Sequence, residues 1–256
     1  MHIKVKASKN LAMASNTVTR PKESRSHNLC VKADALRFSK MYQEAVQTYL
    51  QAIMLDRSEQ KAYFGLASAY KYLKEYKKAI NTLHKLIKID KNNDEYLYEL
   101  GVCYLSDGQP EEAIKYLIKS IIKNKENLEA QIQLAIAHEL IEETDLSLMI
   151  YNKIIETNPD FLKAYYNKAA MLMGCGNYME AAKTFFQLTK RNPDYYKAYF
   201  GIAMSFDKME KFKDAIRYYK KFLSMKRFSD DAVFARNRLN ELREEYFSKD
   251  NKFTLV

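Results

Sequence analysis

Glycine and proline are scarce, at 6 and 4 among 256 residues. A turn-rich all-β fold needs far more of both, and Gly-rich phosphate loops have little to be built from. Cysteine is as sparse. Cys30, Cys103 and Cys175 are odd in number, widely spaced and free of any CxxC. That pattern argues for reduced thiols in a reducing compartment rather than a disulfide framework or a zinc site. The 4 histidines are equally scattered. No uncharged apolar stretch approaches the ~20 residues that a membrane-crossing helix requires. No apolar core of a secretory signal follows Met1, so neither an integral membrane protein nor a secreted one is expected.

Apolar and charged residues are present in ordinary proportion, 47% and 29%, enough for a sizeable folded core. The formal net charge is +10 and unevenly spread. Residues 1–25 hold six Lys/Arg against the single acid Glu23. This segment is read as a plain disordered tail, with an organelle presequence or an arm for nucleic acid or an anionic surface as alternatives. The end Thr254-Leu255-Val256 has the form of a free-carboxylate ligand.

The middle of the chain is periodic. Ala45, Ala79, Ala113, Ala181 and Ala215 align at steps of 34 residues, with Ser147 in the one remaining slot. Residues 26–229 then divide without insertion into six units: 26–59, 60–93, 94–127, 128–161, 162–195 and 196–229. Each reads as two helices. In 60–93, Ala62, Leu66, Ala69, Tyr70 and Leu73 recur at helical spacing, and a second run follows with Tyr76, Ala79, Ile80, Leu83, Leu86 and Ile87. Asn158-Pro159-Asp160 and Asn192-Pro193-Asp194 close other units, because proline cannot continue a helix. Pro110 falls in the first turn of a second helix, where its missing N–H is harmless.

Small residues recur where two helices must approach closely. The eighth place of each unit holds Ala33, Ala67, Gly101, Ala135, Ala169 and Ala203. The twenty-fourth holds the large residues Tyr49, Leu83, Leu117, Tyr151, Phe185 and Tyr219, which are expected to fill the matching holes. A lone helix pair cannot bury enough apolar surface to offset its ordering entropy, so the units must stack. Residues 230–247 read as a closing helix, with Ala232, Ala235, Leu239, Leu242 and Tyr246 on one stripe.

The period, the small residues and the aromatic places together resemble the tetratricopeptide repeat, over 204 of the 256 residues. The similar pentatricopeptide pattern is typically one residue longer and would have slipped by five residues at the sixth unit. Unit 128–161 departs most from the family pattern, with Gln131, His138, Thr144 and Ser147 at places usually aromatic or Ala. The resemblance implies an all-α, right-handed solenoid of antiparallel helix pairs whose concave side, lined by the first helices, holds a peptide or a partner's helix.

The fifth and ninth places lie on that inner face. They nominate Phe64, Tyr98, Val102, Ile132, Ile136, Tyr166, Phe200 and Met204 as a groove for an amphipathic helix or an apolar peptide. The alternative is that these side chains pack against the next unit. The family's clamp for a C-terminal carboxylate is not matched. Asn167 and Lys197 stand at two of its places, but Tyr166, Ala170 and Gly201 do not supply the others, so a chaperone tail is not expected.

Unit charges run 0, +6, −3, −6, +3 and +6 from first to last. Glu139, Glu142 and Glu143 concentrate the negative part, and Lys197 and Arg217 belong to the positive end. These five are the candidates for electrostatic contact with a partner, or with a second copy. No carboxylate pair, nucleophile–base set or metal-ligand spacing stands out, so no catalysis, metal or cofactor is expected. The expected role is a non-enzymatic, cytoplasmic adaptor for a protein or peptide, or inside an organelle if the basic segment is a presequence. Nucleic-acid binding by the basic tail and basic units is the alternative.

Overall fold

The computed structural model describes residues 21–253, with side chains described for 25–244. The described residues form thirteen helices and no strand. They fall into two compact units, Met1–Asn124 and Lys125–Val256. Residues 1–20 of the basic segment, Thr254-Leu255-Val256 and the side chain of Tyr246 lie outside the described residues.

The first unit holds three helix pairs: α1 (Pro21–Phe38) with α2 (Tyr42–Leu55), α3 (Gln60–Tyr72) with α4 (Tyr76–Ile89), and α5 (Asp94–Ser106) with α6 (Pro110–Lys123). The second holds α7 (Leu128–Leu140) with α8 (Thr144–Thr157), α9 (Leu162–Gly174) with α10 (Tyr178–Arg191), and α11 (Tyr196–Lys208) with α12 (Phe212–Met225), closed by α13 (Asp230–Phe253). Helices α3, α5, α7, α9 and α11 each begin on the first residue of a 34-residue unit. Two limits differ from expectation. Helix α1 starts at Pro21, inside the stretch assigned to the tail, and α13 runs six residues beyond 247.

The turn inside each pair has one geometry. Lys40, Lys74, Gly108, Glu142, Gly176 and Glu210, at the fifteenth place, all adopt positive φ between 57° and 76°. The next residue's N–H donates to the carbonyl five back, for example Glu75 to Tyr70 at 2.9 Å and Asn177 to Leu172 at 2.8 Å. This closure satisfies a helix end that would otherwise leave carbonyls unpaired. Between pairs, the chain leaves each second helix at Asp56, Asp90, Asn124, Asn158, Asn192 or Lys226. Asp56, Asp90 and Asn192 accept from the N–H two residues on, at 2.8–3.0 Å, a self-made turn that stops the helix.

The core follows the period. All six residues at the twentieth place, Ser147 included, are sealed from water. The large residues of the twenty-fourth place are at most 2% exposed. Gly65 is needed for this packing, since a Cβ there would meet the Tyr49 ring at 2.3 Å, and Gly201 likewise admits Phe185. In α13 the stripe Ala232, Ala235, Leu239 and Leu242 is buried and packs with Ala203, Ala215, Tyr219 and Phe222. Each unit is thus a stack of helix pairs in sequence order, and the fold class is the all-α solenoid.

Candidate functional site

In the first unit, Phe64 on α3 and Tyr98 and Val102 on α5 are half-buried. Phe64 lies 5.4 Å from the Tyr96 ring and borders a cavity of about 140 Å³ with Ser68, Leu83, Glu95, Glu99 and Cys103. Lys71 spans from α3 to Glu99 at 2.5 Å. The cavity is therefore apolar at its floor, with carboxylates at its rim. Cys30, also at a fifth place, is 2% exposed, and burial raises its thiol pKa to about 11. Cys103 is pushed up to about 12 for the same reason.

In the second unit one fifth-place residue turns inward. Ile132 was expected in the groove but is 0% exposed. It packs with Ala135, Tyr151 and Ile154. Phe200 is half-buried and held by three rings, Phe222 at 5.0 Å, Phe234 at 6.0 Å and Tyr219 at 6.1 Å. It is chiefly a packing residue. Tyr166 lies against Phe185 and Tyr195 at 6.0 and 5.9 Å. The ninth place is more open. Ile136 and Met204 are half-buried and Ala170 is exposed.

A broad concavity lies between α11 and α13. It has a volume of about 570 Å³ and is lined by Met204, Asp207, Lys208, Phe212, Phe234 and Arg238 among others. The Met204 sulfur accepts from the Tyr219 hydroxyl at 3.2 Å. Phe234 is 46% exposed. Arg238 grips Asp207 with two bonds of 2.8 and 2.9 Å. Phe234 and Arg238 were absent from the sequence-derived set. The signal was available, since counting from Asp230 places them at the fifth and ninth places of a further first helix.

The five charged candidates do not converge. Glu142 forms the turn after α7, with φ +63°. Glu143 is bonded to His138 Nδ1 at 2.6 Å. Glu139 is half-buried, and burial raises its pKa. Lys197 is exposed at the start of α11, and Arg217 on α12 stands over the Tyr218 ring at 5.6 Å. His84 Nε2 meets the Tyr104 hydroxyl at 2.8 Å, and burial lowers its pKa. Among the described residues no group of three His, Cys, Asp or Glu is placed to hold a metal. No helix among them is long and apolar enough to cross a membrane.

Models of one family, described as tetratricopeptide repeat, match residues 26–59 and 196–228, 73–130 and 150–183. Among curated proteins there is no match. Solved structures are similar in fold. PilW, a type IV pilus biogenesis factor, superposes with a TM-score of 0.70 at 17% identity, over 82% of this chain and 97% of its own. A tetratricopeptide repeat protein from Parabacteroides merdae gives 0.67 at 20% identity, over 85% and 84%. YrrB, described as having an unusual peptide-binding site, gives 0.52 at 19% identity, over 74% and 97%.

Proposed function

The chain belongs to the tetratricopeptide repeat family, and from that premise we propose that it is a non-enzymatic adaptor. It takes an apolar peptide or an amphipathic helix of a partner protein on the inner faces of its first helices. The observation that carries this reading is the concavity of about 570 Å³ beside Met204 and Phe234. Its apolar floor and its charged rim, Arg238 with Asp207 and Lys208, match what an amphipathic segment needs, a place to bury side chains and polar groups that fix its register. YrrB, a protein of similar fold, is described by its peptide-binding site. The buried thiols of Cys30 and Cys103 fit a reducing compartment, and the cytoplasm is the proposed location.

The test is Phe234→Glu. This ring is 46% exposed, so a carboxylate there remains solvated and the fold keeps its thermal midpoint within a few degrees. Affinity purification from the native cell should recover a protein with the wild-type chain that is missing with the variant. Identical recoveries would remove the groove reading.

A second reading has one observation in its favour. The exposed face of α12 presents Lys213, Arg217, Lys220 and Lys221 with no exposed acid among them. Such a stripe suits a polyanion, nucleic acid included. Binding would weaken steeply with salt, and no retention of RNA at low salt eliminates it.

A further inference from the structure

The sixth repeat and the closing helix share a three-residue frame. Asp207 is at the twelfth place of α11, Tyr219 twelve residues later on α12, and Arg238 thirty-one residues after Asp207 on α13. Arg238 Nε and Nη2 donate to the two Asp207 oxygens at 2.8 and 2.9 Å. The Tyr219 hydroxyl donates to Asp207 Oδ2 at 3.2 Å. A buried phenol, a carboxylate and a guanidinium thereby satisfy one another. The first repeat solves the same problem within one helix pair, where Asp34 accepts from Tyr49 at 2.5 Å and from Arg37 at 3.2 Å.

The fourth repeat has this frame with one member missing. Glu139, Tyr151 and Ala170 stand at the same spacings, twelve and thirty-one residues. The acid is present and the phenol is present, but the arginine position holds Ala170, which is exposed. Glu139 is half-buried and makes no ion pair or side-chain hydrogen bond among the described residues. Burial alone raises its pKa, with no neighbouring cation to bring it down. The Tyr151 hydroxyl is sealed without a hydrogen bond of sound geometry, yet it feels the Glu139 charge. The repeat has seven acids against the one lysine, Lys153, which sits on the exposed side of α8. Lys163, at the start of α9, is held by Glu129.

We propose that Glu139, Tyr151 and the space over Ala170 form a slot for a guanidinium, an arginine of the bound partner segment. This rests on the groove reading and says which side chain the partner must bring. A half-buried carboxylate has lost hydration that only a charge-assisted bond restores. Its flat, two-pronged geometry makes arginine the fitting cation, as Arg238 demonstrates on Asp207. The ninth place faces the groove, so the guanidinium arrives from the partner's side, where Ala170 leaves room.

The full chain, titrated with N-acetyl-arginine amide and followed by NMR at the Ala170 amide and the Glu139 carboxylate, tests this. We expect saturable shifts at both, no such response to the neutral isostere N-acetyl-citrulline amide, and affinity at least about tenfold weaker in Glu139→Gln. Ala170→Arg writes the closing helix's arginine into the slot. It should abolish the response and raise the thermal midpoint. Equal response to citrulline, binding that survives Glu139→Gln, no shifts at millimolar probe, or wild-type binding by Ala170→Arg would each overturn the slot. The arginine amide needs no other part of the groove. Its failure therefore leaves the groove reading standing, whereas the Phe234→Glu experiment concerns the groove alone.

Discussion

Tyr219 and Tyr151 occupy the same place in the repeat, and both are fully sealed from water. Their hydroxyls fare differently. Tyr219 donates to Asp207, itself gripped by Arg238, while Tyr151 has the buried Ser147 hydroxyl one turn before it and neither completes a sound hydrogen bond. Burial pushes both phenols far above their ordinary pKa, Tyr151 despite a small opposing effect of Ser147. One helical frame is thus finished or left open by a residue thirty-one positions away. An open frame has a cost, since an unpaired buried hydroxyl forfeits ~1–3 kcal/mol of hydration.

Asp207 anchors the finished frame. Asp207→Ala takes the two-pronged carboxylate from Arg238, which keeps Glu241 at 2.9 Å, and leaves the Tyr219 hydroxyl only the Met204 sulfur. It should cost about 3 kcal/mol, the lower end for breaking a buried ion pair, because the Asp207 and Arg238 side chains keep 12% and 24% exposure. Glu139→Ala, at the equivalent place but without a partner, should stay within ~0.5 kcal/mol. Urea denaturation of the two variants reads the contrast, and equal losses would dissolve it.

The next largest effects come from the phenols. Tyr219→Phe should destabilise by ~1 kcal/mol, and Tyr151→Phe should stabilise by a similar amount, since it deletes a hydroxyl that has no partner to lose. Opposite shifts of the denaturation midpoint are the expected outcome. Shifts of the same sign would mean that both hydroxyls are satisfied alike.

Ser147→Ala restores the residue that the other five repeats carry at the twentieth place. It should raise stability by ~0.5–1 kcal/mol, read from the same midpoint, by removing a second unpaired hydroxyl and improving helix propensity. A loss of stability would show that the Ser147 hydroxyl holds something in the fold.

The smallest effect depends on pH. Glu139 titrates above the ordinary carboxylate value of 4.5 because burial disfavours its charge. Its protonated form therefore supports the fold below that value, and the support is lost as pH rises through the raised pKa. Glu139→Gln should remove this loss, so variant and wild type diverge in stability on going from acid to neutral pH. Parallel pH profiles would show that Glu139 is as well solvated as in the unfolded chain.

Most of the fold was legible beforehand. The alanines at the twentieth place and the large residues at the twenty-fourth announce which positions must be buried, because helices at close distance tolerate only a small residue facing a large one. The six internal turns were less visible. Lys40, Lys74, Glu142 and Glu210 adopt the left-handed conformation that sequence rules reserve for glycine, since the closing hydrogen bonds of the turn outweigh the modest penalty on a side chain. The inner face was legible only as a set of places. Ile132 and Ile136 look interchangeable in the sequence, yet one is sealed and the other is not.

Thirty-four-residue periodicity by itself determined the helix pairs, their order and their buried stripes, because those follow from local spacing and the need to hide apolar surface. Tertiary structure alone decided which side chains remain open, that Phe234 and Arg238 continue the inner face onto α13, and that Asp207 is neutralised while Glu139 is not. Those outcomes depend on where a residue of the next repeat comes to rest in space, a distance of a few ångströms that no periodicity encodes.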